Sequence, residues 1–156
     1  MPILGKLREY LDRNGVAYEM LSHPEAYTAQ QVAEAQHVPG KELAKVVMAR
    51  SGSEFAMLVL PAPYRVDLER ARGALAKPKL ELATEQDFAA LFPQCQPGAM
   101  PPFGNLYDIP VWVDQGLLAD EKIVFNAGTH TDTVRMRYAD FERLVQPRVA
   151  KLAEED

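Results

Sequence analysis

The sequence is poor in the residues that build disulfides, metal cages and covalent nucleophiles. A single cysteine, Cys95, stands among 156 residues, so neither an internal disulfide nor a zinc cage of several cysteines can form. The three histidines, His23, His37 and His130, sit at no metal-ligand spacing, and neither HExxH nor CxxC occurs. His130 and Asp132 lie two residues apart, but such pairs are common by chance, and neither a metal nor a cofactor is expected. The GxSxG nucleophile elbow and the phosphate-cradling GxxxxGK[ST] loop are both missing. Long apolar runs are missing too. The longest lies around Phe55 to Leu60, far short of a membrane span. The start, from Met1 to Glu9, lacks the apolar core of a signal peptide. A cytoplasmic protein without membrane contact is therefore expected. Basic residues are in deficit, 17 against 22 acidic, for a net charge of -5. That balance disfavours coating of long nucleic acid by charge alone, but leaves room for a local basic pocket that grips a single-stranded end.

What is present suits one globular core. Apolar residues make up 47% of the chain, too many for disorder. The length matches one typical domain, and no repeat or linker divides it, so a single domain over residues 1–156 is expected. Twelve prolines and nine glycines cut the chain into short elements. Leu4, Leu7 and Leu11 form one apolar helix face that ends at Asn14-Gly15. Val16, Tyr18 and Met20 alternate like a half-buried strand. Thr28 with Gln31 reads as a capping box opening a helix that Pro39-Gly40 closes. Lys45–Arg50 and Phe55–Leu60 read as a hairpin, and the second strand, apolar throughout, belongs at a sheet centre. Asp67 and Thr84 look like N-caps of two more helices. Strands at Val111–Val113, Ile123–Asn126 and Thr133–Arg137 follow, then a helix with Tyr138, Phe141, Leu144 and Val145 on one face. Strands and helices interleave without a strict βαβ rhythm. The expected fold is mixed α/β, a single, largely antiparallel sheet flanked by short helices.

Three features carry what chemistry there is. Lys45 enters the apolar strand Val46-Val47-Met48-Ala49, where a lysine is most often merely solvated. Gly98-Ala99-Met100-Pro101-Pro102-Phe103-Gly104 is a stiff loop whose free N–H groups can be held in one direction, or an ordinary rigid turn. Ile123 to Gly128 is a buried strand that ends at a glycine and is followed by Thr129-His130-Thr131-Asp132.

In this order and at these separations the features resemble the YbaK-type aminoacyl-tRNA deacylases, a family also found inserted in or standing beside prolyl-tRNA synthetase. The stretch from Tyr18 to His23-Pro24, then Thr28-Ala29, agrees with it, as does Val113-Asp114 before Leu117. The resemblance spans about Leu7 to Leu144. It implies a mixed sheet with helices and hydrolysis of the ester that joins a wrong, small amino acid to tRNA. It implies mischarged aminoacyl-tRNA, gripped at its CCA end, as partner, with prolyl-tRNA synthetase as a candidate protein partner. Residue by residue, Lys45 matches the family's functional lysine, and Gly98 with Pro102 its GxxxP loop, which sets backbone amides by the scissile carbonyl. Gly128 to His130 matches a segment lining the amino-acid pocket. Thr28, Met48, Met100 and Phe103 complete the expected substrate-binding set. Two departures stand out. Val46 follows the lysine where members that clear alanine from tRNA for proline carry asparagine, and Pro101-Pro102 replaces a single proline.

The implied chemistry is economical. An aminoacyl ester is already activated, so a positioned water and stabilisation of the oxyanion suffice; one backbone donor is typically worth ~10²–10³ in rate. A synthetase pocket rejects a smaller apolar side chain by only about 1–3 kcal/mol per methylene, which motivates a second, hydrolytic sieve. Arg65, Arg70, Arg72, Lys77 and Lys79, against Asp67 and Glu69, form a basic run of net +3 that could attract the acceptor end, with Tyr18, Tyr27 or Tyr64 as stacking surfaces; such runs are more often solvated faces. Two other readings stand beside it: a module that binds aminoacyl-tRNA or a nucleotide without turnover, and a small thioesterase or esterase that uses Cys95.

Overall fold

The computed structural model describes residues 5–22, 43–88, 91–92, 95, 99–119, 121–129 and 132–154. Helix α1 (Gly5–Arg13) lays Leu7 and Leu11, spaced i, i+4, fully into the interior. Strand β1 (Tyr18–Ser22) follows. The hairpin expected in mid-chain is present as β2 (Ala44–Ser51) and β3 (Glu54–Pro61), antiparallel with Lys45 opposite Leu60 and Met48 opposite Met57.

Local chemistry fixes the next helices. Helix α2 (Leu68–Leu75) starts where the Asp67 carboxylate accepts from the Arg70 amide at 3.2 Å. Helix α3 (Glu85–Phe88) starts at a reciprocal cap: the Thr84 hydroxyl accepts from the Asp87 amide, and the Asp87 carboxylate accepts from the Thr84 amide. Between them β4 (Glu81–Leu82) adds a short edge beside β2. Strands β5 (Val111–Asp114), β6 (Lys122–Thr129) and β7 (Asp132–Arg137), helix α4 (Tyr138–Val145) and a last strand β8 (Arg148–Ala150) complete the described elements. The helix expected to open at Thr28 lies outside the described residues.

The mixed α/β class and the largely antiparallel pairing are as expected, but the strands divide into two sheets where the sequence suggested one. Their orders are β1-β7-β6 and β4-β2-β3-β5-β8; among the described strands only the β3–β5 and β5–β8 pairs run parallel. The division has a packing cause. Ile123, Phe125, Ala127, Val134 and Met136 of the small sheet and Ala44, Met48, Met57, Val59, Val111 and Val113 of the large one share a single core with Leu7, Leu11 and Phe141. Two inner faces can bury each other in a way that one continuous surface cannot. The opposite face of the large sheet packs Ala49, Ala56 and Leu58 on Ala71 and Leu75 of α2, with Leu80 and Leu152. Strand β3 is thus covered on both faces, which is why it is apolar at every step.

The two sheets touch through one parallel bridge, Leu43 with Val124. Beyond it β2 and β6 part. Among the described residues no helix is long and apolar enough to cross a membrane.

Candidate active site at the parting of the two sheets

The point where β2 leaves β6 gathers the polar groups that the core does not use. Side chains alternate along a strand, so the Leu43–Val124 bridge puts Lys45, two residues on along β2, and Asn126, two residues on along β6, on the same face. Thr133, buried, pairs with Asn126 across β6–β7. Four residues past the bridge, the Gly128 amide donates to the Ala99 carbonyl at 2.9 Å. The loop beginning at Ala99 therefore bounds the wedge that opens between the two strands. Gly128 takes φ +103°, a conformation costly for any residue with a Cβ, at an irregularity of the β6–β7 ladder.

Lys45 is half-buried. Burial lowers the pKa of its ammonium below the ordinary lysine value, and the positive charge of Arg65 lowers it further. Among the described residues no carboxylate pairs with it. The Asn126 carbonyl oxygen, Oδ1, is buried and accepts no hydrogen bond among the described residues. Leaving such an acceptor unmet costs about 1–3 kcal/mol, which makes it a group waiting for a donor. A half-buried cation and an open carbonyl acceptor on one face can bind a polar, partly anionic group and stabilise a developing oxyanion.

The residues singled out from sequence fall in different places. Lys45 and Gly128 are at the wedge. Thr28, Gly98 and His130 lie outside the described residues. Pro102 is buried in the loop and, having no N–H, contributes stiffness and no donor. Met48, Met100 and Phe103, expected to line the substrate, are buried in the core between the sheets. Phe103 is fully covered, its ring 5.5 Å from those of Phe125 and Phe141 and 6.2 Å from that of Tyr10, so no face is left for a ligand. Register explains Met48: it lies on the face of β2 opposite Lys45. Gly104 is held by close approach, since a Cβ there would sit 2.5 Å from the Ile109 carbonyl oxygen.

The basic run does not stand as one patch. Arg70 binds the Asp67 carboxylate and the Ala153 carbonyl, Arg72 the Leu80 carbonyl, and Lys77 the Glu54 carboxylate. Asp114, noted as part of a motif, is structural. Its buried carboxylate accepts from the amides of Leu152, Ala153 and Gly116 at 2.8, 3.0 and 2.9 Å, tying the C-terminal segment to β5. Cys95 is partly buried, and burial pushes its thiol pKa up, with Tyr107 Oη 4.0 Å from Sγ. A thiol held neutral at pH 7 is the opposite of an activated nucleophile. Asn126 went unremarked in the sequence because its missing partner is a property of the fold. Its only local signal is a polar residue inside an apolar strand.

Residues 23–144 match the aminoacyl-tRNA editing domain family, and the chain belongs to it. Among curated proteins nothing matches. Solved structures share the fold. A candidate trans-editing enzyme for prolyl tRNA synthetase superposes with a TM-score of 0.84 at 22% identity, over 96% of either chain. The hypothetical protein APE2540 gives 0.86 at 19% identity, over 96% of this chain and 99% of that one. A candidate signal transduction protein from Marinobacter aquaeolei VT8 gives 0.78 at 15%, over 98% of this chain and 31% of that one.

Proposed function

We propose that this chain is a trans-acting deacylase, which hydrolyses the ester joining a small, wrongly attached amino acid to tRNA, with tRNA for proline as the first candidate. The observation that carries the reading is the wedge between β2 and β6, where Lys45, Asn126 and the start of the 99–104 loop converge within a member of the editing family. The Lys45 ammonium orients the acyl-ribose and stabilises the oxyanion as water attacks the carbonyl carbon. The loop amides share that charge. The tetrahedral intermediate then expels the ribose oxygen, which takes a proton and leaves as the free hydroxyl. Asn126 Oδ1 accepts from the α-ammonium of the aminoacyl group. None of these roles needs a protein nucleophile, which agrees with the raised thiol pKa of Cys95. Prolyl-tRNA synthetase is the protein partner this reading favours.

The test is a deacylation screen over tRNAs mischarged with alanine, serine, threonine or cysteine, on proline and other acceptors, with the parent and Lys45→Ala. The parent is expected to clear at least one small amino acid. The variant, folded by circular dichroism, is expected to lose about 10²-fold in rate. A parent that leaves every ester intact, even in excess, is a binding module instead.

A further inference from the structure

Asn126 interrupts an otherwise apolar stretch of β6. Val124, Phe125 and Ala127 around it are fully covered, and an apolar residue would continue the pattern. The strand instead carries an amide whose buried oxygen accepts nothing among the described residues. The backbone beside it is irregular as well. Asn126 is the last residue of β6 in regular register with β7, opposite the buried Thr133. The next pair is Thr129 with Asp132, so Ala127 and Gly128 have no opposite number on β7. The Gly128 amide turns away to the Ala99 carbonyl at 2.9 Å. A bulge of this kind bends its strand and re-aims the side chain next to it. The Leu43–Val124 bridge sets Asn126 level with Lys45, on the same face of the two parting strands.

An amide oxygen has two lone pairs and can take two donors. In the deacylase reading, on which this inference rests, the ester carbonyl lies at Lys45 and the α-carbon on the β6 side. The α-ammonium then meets one lone pair of Asn126 Oδ1, and the other stays open to a donor on the next carbon. We infer that Asn126 selects an aminoacyl group with a β-hydroxyl, serine before alanine, by accepting from the α-ammonium and the hydroxyl together. The nitrogen and the β-oxygen of serine sit on neighbouring carbons, so both can reach one oxygen from the same side. The methyl of alanine has no proton to give, and the thiol of cysteine is a weak donor. The expected order is therefore serine, cysteine, alanine. A buried acceptor discriminates in this way because a ligand that lacks the donor strips it of water without replacing the bond. A sieve that worked by size alone would instead treat 2-aminobutyrate, with a methyl where serine has its hydroxyl, like serine.

The test uses three non-hydrolysable probes, the 3′-serylamido, 3′-alanylamido and 3′-(2-aminobutyryl)amido derivatives of adenosine. Their affinities for the full-length parent and for Asn126→Ala are measured by calorimetry. The parent is expected to bind the seryl probe about tenfold more tightly than either of the others, the worth of one net hydrogen bond. Asn126→Ala is expected to bring all three within about twofold of one another. In deacylation, kcat/KM on tRNA for proline is expected to fall from the serine to the cysteine to the alanine ester. Asn126→Ala should lower the serine value about tenfold more than the alanine value. If the 2-aminobutyryl probe binds as well as the seryl one, or if Asn126→Ala keeps the preference, selection through the hydroxyl is wrong; a parent that still clears any ester leaves the deacylase reading standing. If the parent shows the preference and Asn126→Ala loses it, yet no mischarged tRNA is hydrolysed, the deacylase reading fails and the serine site stands. A parent that binds none of the three probes overturns the site.

Discussion

The two ends of the β2–β3 hairpin make opposite use of charge. At the turn end, about 17 Å along the strands from Lys45, every noted charge has a partner. Lys77 meets Glu54, and Arg50 meets Glu81 and Asp87. A hollow of about 570 Å³ opens there between Phe55, Leu80, Ile109 and Trp112, with Arg148 over the indole ring. At the other end Lys45 feels the positive charge of Arg65 and, among the described residues, pairs with no acid, and the Asn126 carbonyl is unmet. The hollow at the turn end is thus lined by Lys77 and Glu54, which are already paired, whereas Lys45 and Asn126 at the other end are not. Space alone does not mark a site; unspent polar groups beside space do.

The comparison can be broken in several ways, and the largest effect is expected from Lys45→Ala, as above. Next comes Asp114→Ala, which removes the one carboxylate holding three amides. It is expected to destabilise the fold by about 3 kcal/mol, read as a fall in denaturation midpoint at unchanged slope. Asn126→Ala separates function from stability. It deletes an acceptor that nothing among the described residues satisfies, so stability should hold or rise while deacylation falls roughly tenfold. A parallel loss of both would mean that Asn126 is simply part of the packing.

The pair of cations gives a titration. A nearby positive charge disfavours the protonated form, so Arg65→Gln should raise the Lys45 pKa back toward the ordinary lysine value, followed by the NMR shift of its ε-carbon. In the parent, Lys45 should lose its proton below the ordinary lysine value. An unmoved titration would place Arg65 farther away. The smallest effect is expected at the turn end. Lys77→Ala should leave deacylation rates within error, and a marked loss there would reverse the assignment of the two ends.

Sequence gave up the local decisions readily. The caps at Asp67 and Thr84 act within three residues, and the apolar run of β3 announced a strand covered on both faces. Lys45 at a strand entrance and Gly128 at a strand end were legible for the same reason. Long-range pairing was not. One bridge, Leu43–Val124, decides that there are two sheets, and no local pattern encodes it. Phe103, in a loop rich in glycine and proline, had the composition of a surface turn, yet its ring fills the space between the sheets. The basic run dissolved because its partners, Glu54 and the carbonyls of Leu80 and Ala153, are far away in sequence or on the main chain. Whether a polar group is spent is a tertiary property.

The most direct measurement maps amide shift changes as 3′-alanylamido-adenosine is added to the isotopically labelled chain. Changes are expected at residues 43–46, 99–100 and 126–128, with the Trp112 indole silent. Changes centred on residues 53–56, 107–112 and 148, with the Lys45 strand unmoved, would contradict the placement of the site between the two sheets.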